Sequence, residues 1–381
     1  MLLALGLAAC GVGEPRETSG NTLATIADVR LTSPDPAAYA FFGHAVAIDG
    51  STAVVGAWGV NDNAGSVYVF AEVDGAWQLE ASLRAPDGSP KDRFGHAVAI
   101  DGDRVVVGAV HESTHGFRAG AAHVFEREEG SWSHVSALGA PAPLEYQQFG
   151  SSVAVDGDTL AVGASGFSGR AAYVHTRVAD SWSLQQVVKP QDDHQDARFG
   201  SSLALVGDTL VVGAWTDEPF DHHEPRASGL AYVFERHGGD WHQTTVLDSP
   251  TGEPGYGSAV ATDGATIVVS TPNEAVHIYA RERGSWRTAS TLEPSEVRHY
   301  GTSVAVDGDK VLVGASGKAG AAYEYHRVDG TWTLQHEITA ADATETLHFG
   351  LAAAVSGQRS IFGATGADDG GIASGAAYLF P

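Results

Sequence analysis

Residues His111 to His115 read His-Glu-Ser-Thr-His. In a helix, this H-E-x-x-H spacing puts two imidazoles on one face to hold zinc, with the glutamate as general base. Here the run follows an apolar, strand-like segment and Gly116 ends it at once, so no helix gives the spacing its geometry. Zinc hydrolysis is not expected from it. A second concentration lies in Thr216 to Ser228, which holds Asp217, Glu218, Asp221, His222, His223 and Glu224. A mixed imidazole and carboxylate set can take a transition metal. A solvated acidic loop is the plainer reading, so no cofactor is expected. Were an ion held there, Asp217, Asp221, His222 and His223 are the candidate ligands. The chain has no G-x-S-x-G elbow, no P-loop and no dinucleotide fingerprint.

The elements that must position these residues come from a repeat. An aromatic-glycine pair recurs at Phe42-Gly43, Phe94-Gly95, Phe149-Gly150, Phe199-Gly200, Tyr256-Gly257, Tyr300-Gly301 and Phe349-Gly350, at spacings between 44 and 57 residues. A period near 50 signals a repeat architecture. The second copy shows the unit: an apolar run His96 to Ile100, a tight Asp101-Gly102 turn, a run Arg104 to Ala109, a variable loop, a run Ala121 to Phe125, a polar turn, and a run from Trp132 to Leu138. Asp-Gly between alternating runs is a strong hairpin signal. Four antiparallel strands per unit, seven times over, predict an all-β, seven-bladed β-propeller of four-stranded blades.

The last copy ends after its third run, Ala376 to Phe380. A matching fourth run stands at the N-terminus: Leu31 and Pro34 precede Phe42 by the same intervals that Leu83 and Pro86 precede Phe94. Thr25 to Leu31 is therefore expected to pair with Ala376 to Phe380 and close the ring, which leaves no free strand edge. Gly-Ala ends the second run of six copies, and the fifth has Ser270-Thr271 instead. Trp77, Trp132, Trp182, Trp241, Trp286 and Trp332 open the fourth runs and are read as packing. Trp58 and Trp215 stand outside that register, at loop starts, and are read as contact residues.

Phe-Gly-x-Ser-Val-Ala followed by Val-Gly-Ala, as in Phe149 to Ala164 and Tyr300 to Ala315, resembles the FG-GAP repeat. That repeat is the blade unit of the propeller at the head of integrin α subunits and of many bacterial surface proteins. The resemblance covers residues 24–381 and implies a binding or adhesion role. Many such repeats carry an Asp-x-Asp-x-Asp-Gly calcium loop between their first two strands. Here that connection has shrunk to turns such as Asp101-Gly102-Asp103 and Asp49-Gly50, too short to wrap a cation, so calcium is not carried over.

Met1 to Cys10 form an apolar run ending Leu-Ala-Ala-Cys, which resembles the lipobox of bacterial lipoproteins, although no Lys or Arg precedes Cys10. The resemblance implies a signal over 1–9, lipidation of Cys10, the only cysteine, and a polar tether over 10–23 ahead of the propeller at 24–381. With 22 basic and 47 acidic residues the net charge is −25, which argues against nucleic acid and anionic membrane surfaces as partners. Membrane contact is expected through a lipid anchor only, in a bacterial envelope or surface setting or after secretion, and the domain is expected to be monomeric. The expected role is non-enzymatic binding of a protein or glycan through the variable loops. The candidate residues are Trp58, His111, His115, Phe117, Trp215, Phe220, His222 and His223. The alternative is a polysaccharide hydrolase or lyase, or a metal-dependent hydrolase. The positions after the aromatic-glycine pairs (His44, His96, Ser151, Ser201, Ser258, Thr302 and Leu351) offer no carboxylate for it.

Overall fold

The computed structural model describes residues 29–191, 197–216, 229–250, 255–293 and 298–381. They form seven separate four-stranded antiparallel sheets. The second strand of each blade is the most deeply buried. Thr52–Ala57, Thr159–Ala164, Thr266–Thr271 and Lys310–Ala315 are buried along their whole length. Their β-branched and small residues suit a strand covered on both faces by neighbouring blades. The fourth strands alternate between exposed and covered positions, as Ser131–Leu138 does, because one face meets solvent. The first strands are rich in Ala, Ser and Val; Phe94–Asp101 and Phe349–Ser356 are half-exposed beyond their aromatic-glycine pair, while Phe149–Asp156 and Tyr300–Asp307 are mostly buried. That first strand starts at the aromatic residue itself, two residues earlier than the apolar run His96 to Ile100 indicates. The third strand runs on from Phe125 to Glu128.

The aromatic of each pair is the core residue of its blade. Phe42, Phe149, Tyr256, Tyr300 and Phe349 are fully buried. Each packs on a ring at one position of the third strand: Phe42 on Tyr68, Phe94 on His123, Phe149 on Tyr173, Tyr256 on His277 and Tyr300 on Tyr323, with centroids 5.1 to 5.6 Å apart. Such pairs add about 1 kcal/mol beyond area burial.

The glycines explain how blades approach. Gly95 has φ +89°, which an L side chain rarely adopts, and it sits at a bulge between Phe94 and Ala97. Its carbonyl oxygen lies 2.2 Å from where a Cβ on Gly56 of the preceding blade would stand. The same contact joins Gly108 to Gly150, Gly163 to Gly200, Gly213 to Gly257 and Gly314 to Gly350, and closes the ring between Gly363 and Gly43. Backbone meets backbone at each seam, so side chains are excluded. Blade five has Ser270 there, and its Cβ stands 3.3 Å from the Cβ that Gly301 lacks.

On the end with the short hairpins, most turns are tied to the next. Asp49, Asp101 and Asp156 accept hydrogen bonds from the backbone N–H of Gly102, Gly157 and Gly207 at 2.6 to 2.7 Å. Asp263 and Asp307 do the same for Gly308 and Gly357. Blade four has Val206 at this position and lacks the bond. These carboxylates join blades. The fourth-strand tryptophans lie under arginines: Arg127 over Trp132, Arg236 over Trp241 and Arg327 over Trp332, with 5.1 to 5.3 Å to the ring centre.

Val29–Leu31 pairs antiparallel with Ala376–Phe380, Leu31 opposite Ala377, and completes the last blade. The rest of the expected closing run, 25–28, lies outside the described residues.

Candidate ligand-binding face

The end opposite the hairpins carries the loops between second and third strands and those between blades. Exposed apolar aromatics concentrate there. Among the described residues these are Tyr39, Phe117, Tyr146 and Phe167, from 39% to 77% exposed, and every one lies in a loop of this face. Ile372, 63% exposed, joins them, and its carbonyl accepts the N–H of Tyr39. Phe117 meets Tyr146 edge-on at 5.2 Å, and the Arg118 guanidinium lies 5.6 Å from the Phe117 ring centre. The set forms an arc from blade seven through blades one and two to blade three.

Inside that arc, toward the axis, blades one and two build a tighter cluster. Trp58 follows the Gly-Ala of blade one and is half-buried, with its indole Nε1 buried and unpartnered. Phe41 stacks on it at 4.6 Å and 18°, and His44 approaches edge-on at 5.9 Å. The Arg93 guanidinium lies over the same indole at 4.6 Å. His96 is 5.0 Å from His44, ring to ring, and its buried Nδ1 has no partner. The backbone N–H of His111 donates to the Asp92 carbonyl at 3.0 Å, which places His111 beside Arg93. Phe41 and Arg93 both sit at positive φ, 53° and 57°, as do Gln148, His299 and His348 at the same place in other blades, so this backbone turn belongs to the repeat.

The electrostatics of the cluster are one-sided. Burial, and then the charge of Arg93, bring the His44 imidazole down to about 4. Burial brings His96 down to about 3, with His44, Arg93 and His111 adding to it. His111 falls to about 4 through burial, Arg93 and Arg118. Arg93 is itself lowered, by burial and by Arg118. All three imidazoles are thus neutral near pH 7, and every charged neighbour acting on them is a cation.

The H-E-x-x-H run is taken apart by the fold. No helix forms there. Glu112 turns inward and bonds His123 Nε2 at 2.7 Å, and His123 Nδ1 reaches His134 Nε2 at 3.1 Å. Burial raises the Glu112 carboxyl, and the bond and charge of His123, with Thr114 and His115, together bring it below its ordinary value. His111 goes to the axial cluster, while His115 is exposed and lies over Gly139. Among the described residues no group of three or more His, Cys, Asp or Glu could hold a metal ion. Trp215 is half-buried, with Arg198 4.9 Å from its ring centre, and Arg198 also faces Phe167 at 6.0 Å. Phe220, His222, His223, Asp217 and Asp221 lie outside the described residues, as does Cys10.

Reading the chain for motifs missed Phe41 and Arg93. Their signal is positional. The residue before each aromatic-glycine pair is Phe41, Arg93, Gln148, Arg198, Gly255, His299 or His348, a variable position at a fixed place in the repeat. At the hairpin end, by contrast, a cleft of about 390 Å³ lies beside the seam, but its Arg359 and Glu72 pair with each other.

Among solved structures, the chain is similar to one titled "Crystal Structure of Mitotic Checkpoint Complex", with a TM-score of 0.59 and 14% identity over 100% of this chain and 98% of that one. At this identity the likeness speaks for the propeller fold alone. No curated protein matches the chain in a sequence comparison. The family model described as FG-GAP repeat matches residues 27–70, 77–125, 132–175, 182–234 and 332–380. Each window runs from a fourth strand through the three strands of the next blade, and the unmatched stretch contains blade five with its Ser270. The matches take in more than half of the chain, and together with its seven aromatic-glycine blades they make it a member of the FG-GAP repeat family.

Proposed function

We propose that the protein is a non-enzymatic binding module of the bacterial cell envelope, which engages a glycan or protein through its loop-rich end. The observation that carries this reading is the confinement of exposed aromatics to that end: Tyr39, Phe117, Tyr146 and Phe167. Apolar rings held open to water on rigid loops are what recognition surfaces use. The axial cluster brings imidazoles and arginines together without a carboxylate, which leaves a general acid–base pair unsupported there. The lipobox-like end at Cys10 supports tethering to a membrane, with adhesion as the accompanying role. No helix of the described residues is long and apolar enough to cross a membrane.

The test is binding to a panel of purified envelope and extracellular polysaccharides, with release of reducing ends followed in parallel. The expected result is saturable binding to at least one member, a loss of about tenfold or more with Phe117→Ala combined with Tyr146→Ala, and no reducing-end release. Catalytic release that disappears in His111→Ala would replace this reading with the hydrolytic one. Mass spectrometry of the mature N-terminus, with fractionation of Cys10→Ala, tests the anchor separately.

A further inference from the structure

Among the described residues, two half-buried arginines stand apart from the others. Arg30, Arg104, Arg127, Arg177, Arg236, Arg327 and Arg359 are each paired with at least one carboxylate. In a chain with 47 acidic residues, such pairing is the expected state. Arg93 and Arg118 differ. Both are half-buried, and among the described residues neither guanidinium has an ion pair or a side-chain hydrogen bond. Each lies instead against an aromatic ring, Arg93 on Trp58 and Arg118 on Phe117. Neither guanidinium is among the buried side chains without a partner, so their donors are open to solvent and free to meet a ligand.

What surrounds Arg93 defines that partner. His44, His96 and His111 stand about it, with a buried Nδ1 on His96 that has no acceptor or donor opposite. The nearest carboxylates are engaged elsewhere: Asp92 accepts the N–H of Ser89 at 2.7 Å, and Glu112 is held by His123. A metal cation is a poor guest, because Arg93 would repel it from the three imidazoles. A polyanion is a poor guest too, because the chain as a whole carries −25. A compact anion meets neither objection, since screening confines the chain's field to about 8 Å and the contact is local.

We propose that the mouth between blades one and two binds a small oxyanion, a carboxylate, sulfate or phosphate group, with Arg93 as its fork-shaped donor and His96 and His111 as flanking donors. Trp58, itself stacked on Phe41, lies against the guanidinium, so that little side-chain entropy is lost when the anion arrives. The inference rests on the loop-rich end being the binding face, and it names the part of the ligand that is read there. The group is either a free inorganic ion or one borne on a sugar, such as a uronic acid.

The experiment is calorimetric titration of the full-length protein with sulfate, phosphate, glucuronate and glucose, at constant ionic strength set with chloride. The wild type is expected to bind at least one of the three anions saturably and glucose not at all. Glucuronate binding more tightly than both inorganic ions identifies a sugar-borne group; the reverse order identifies a free ion. Arg93→Gln is expected to weaken binding by about tenfold or more and Arg118→Gln by about threefold, with Arg236→Gln, at the hairpin end, unchanged. Because Arg93 also packs on Trp58, Arg93→Lys is the second variant: it keeps the charge and loses the fork, and should still weaken binding. Failure of all three anions to bind, or affinity unchanged in both Arg93 variants, overturns the proposal. A polysaccharide ligand that is lost with the Phe117 and Tyr146 substitutions but retained in Arg93→Gln would end the oxyanion site and leave the binding face standing.

Discussion

Arg30 Nε lies 3.1 Å from the hydroxyl of Tyr378 and donates to it across the seam of the ring. The same guanidinium pairs with Asp342 at 3.1 Å and with Asp369. One side chain from the strand that completes the last blade thus ties together that blade's third strand and two of its loops. Tyr378 is held as a neutral donor to Asp342, its hydroxyl raised by burial and by that carboxylate. Arg30→Ala is expected to lower stability by about 1 to 2 kcal/mol, since its carboxylate partners are about half exposed and the Tyr378 bond is lost with them. Deleting residues 22–33 should do more, opening the ring and promoting aggregation through the bared edge. Thermal unfolding and light scattering check both. An unchanged melting temperature after the deletion would contradict the closure.

The glycine seams make a second prediction. Gly108→Ala would place a methyl group 2.0 Å from the Gly150 carbonyl oxygen, and neither backbone can yield without moving a blade. The expected cost is about 3 kcal/mol or more, read as a shift in the denaturation midpoint. Gly102→Ala is the comparison: its site is open, so only the strain of φ +55° is added, about 1 kcal/mol.

Glu112 and His123 form a buried pair that adds a polar network to the packing of Phe94 on the His123 ring. Glu112→Ala leaves the His123 ring, fully buried, without its partner, and should destabilise by about 3 kcal/mol. Glu112→Gln keeps one bond and should cost less. If this pair served zinc, chelator would reproduce the loss; unfolding with and without chelator is expected to be the same for the wild type.

Acid should destabilise the protein in two stages. His44, His96, His111 and His175 have folded values of about 4, 3, 4 and 4, all below the ordinary 6.5. Above 6.5 they are neutral in both states and cost nothing. Below it the unfolded chain takes up protons that the folded one refuses, so stability falls from about pH 6.5 toward pH 4. Glu112, lowered on folding, adds a loss below its ordinary value of 4.5, and Asp92, raised by burial, works against it. Melting temperature against pH is the measurement. An oxyanion bound at Arg93 favours the protonated imidazoles, so saturating sulfate should flatten the fall.

The blade number, the strand order, the hairpins and the closing strand were all legible in the chain, because each rests on a local rule: the aromatic-glycine pair recurs in all seven blades and the Asp-Gly turn in five. Aromatic-glycine marks a bulge at positive φ, Asp-Gly marks a hairpin, and the intervals from Leu31 and Leu83 to the next pair match. Strand ends were less legible. Phe94 and Glu128 extend their strands because hydrogen bonding to neighbours, not apolar character, decides where pairing stops.

The candidate site was legible only as a face. Local sequence could say that Trp58 and His111 stand in loops, since each follows a Gly-Ala strand end. It could not say that Arg93, from the next blade, would lie on Trp58, or that His111 and His115 would part while Glu112 turned to His123. Those contacts join residues far apart in the chain, and the repeat specifies only that blades are adjacent. Which side chains meet at the mouth is set by the rotation between blades and by the variable residue before each aromatic, and both are properties of the closed ring.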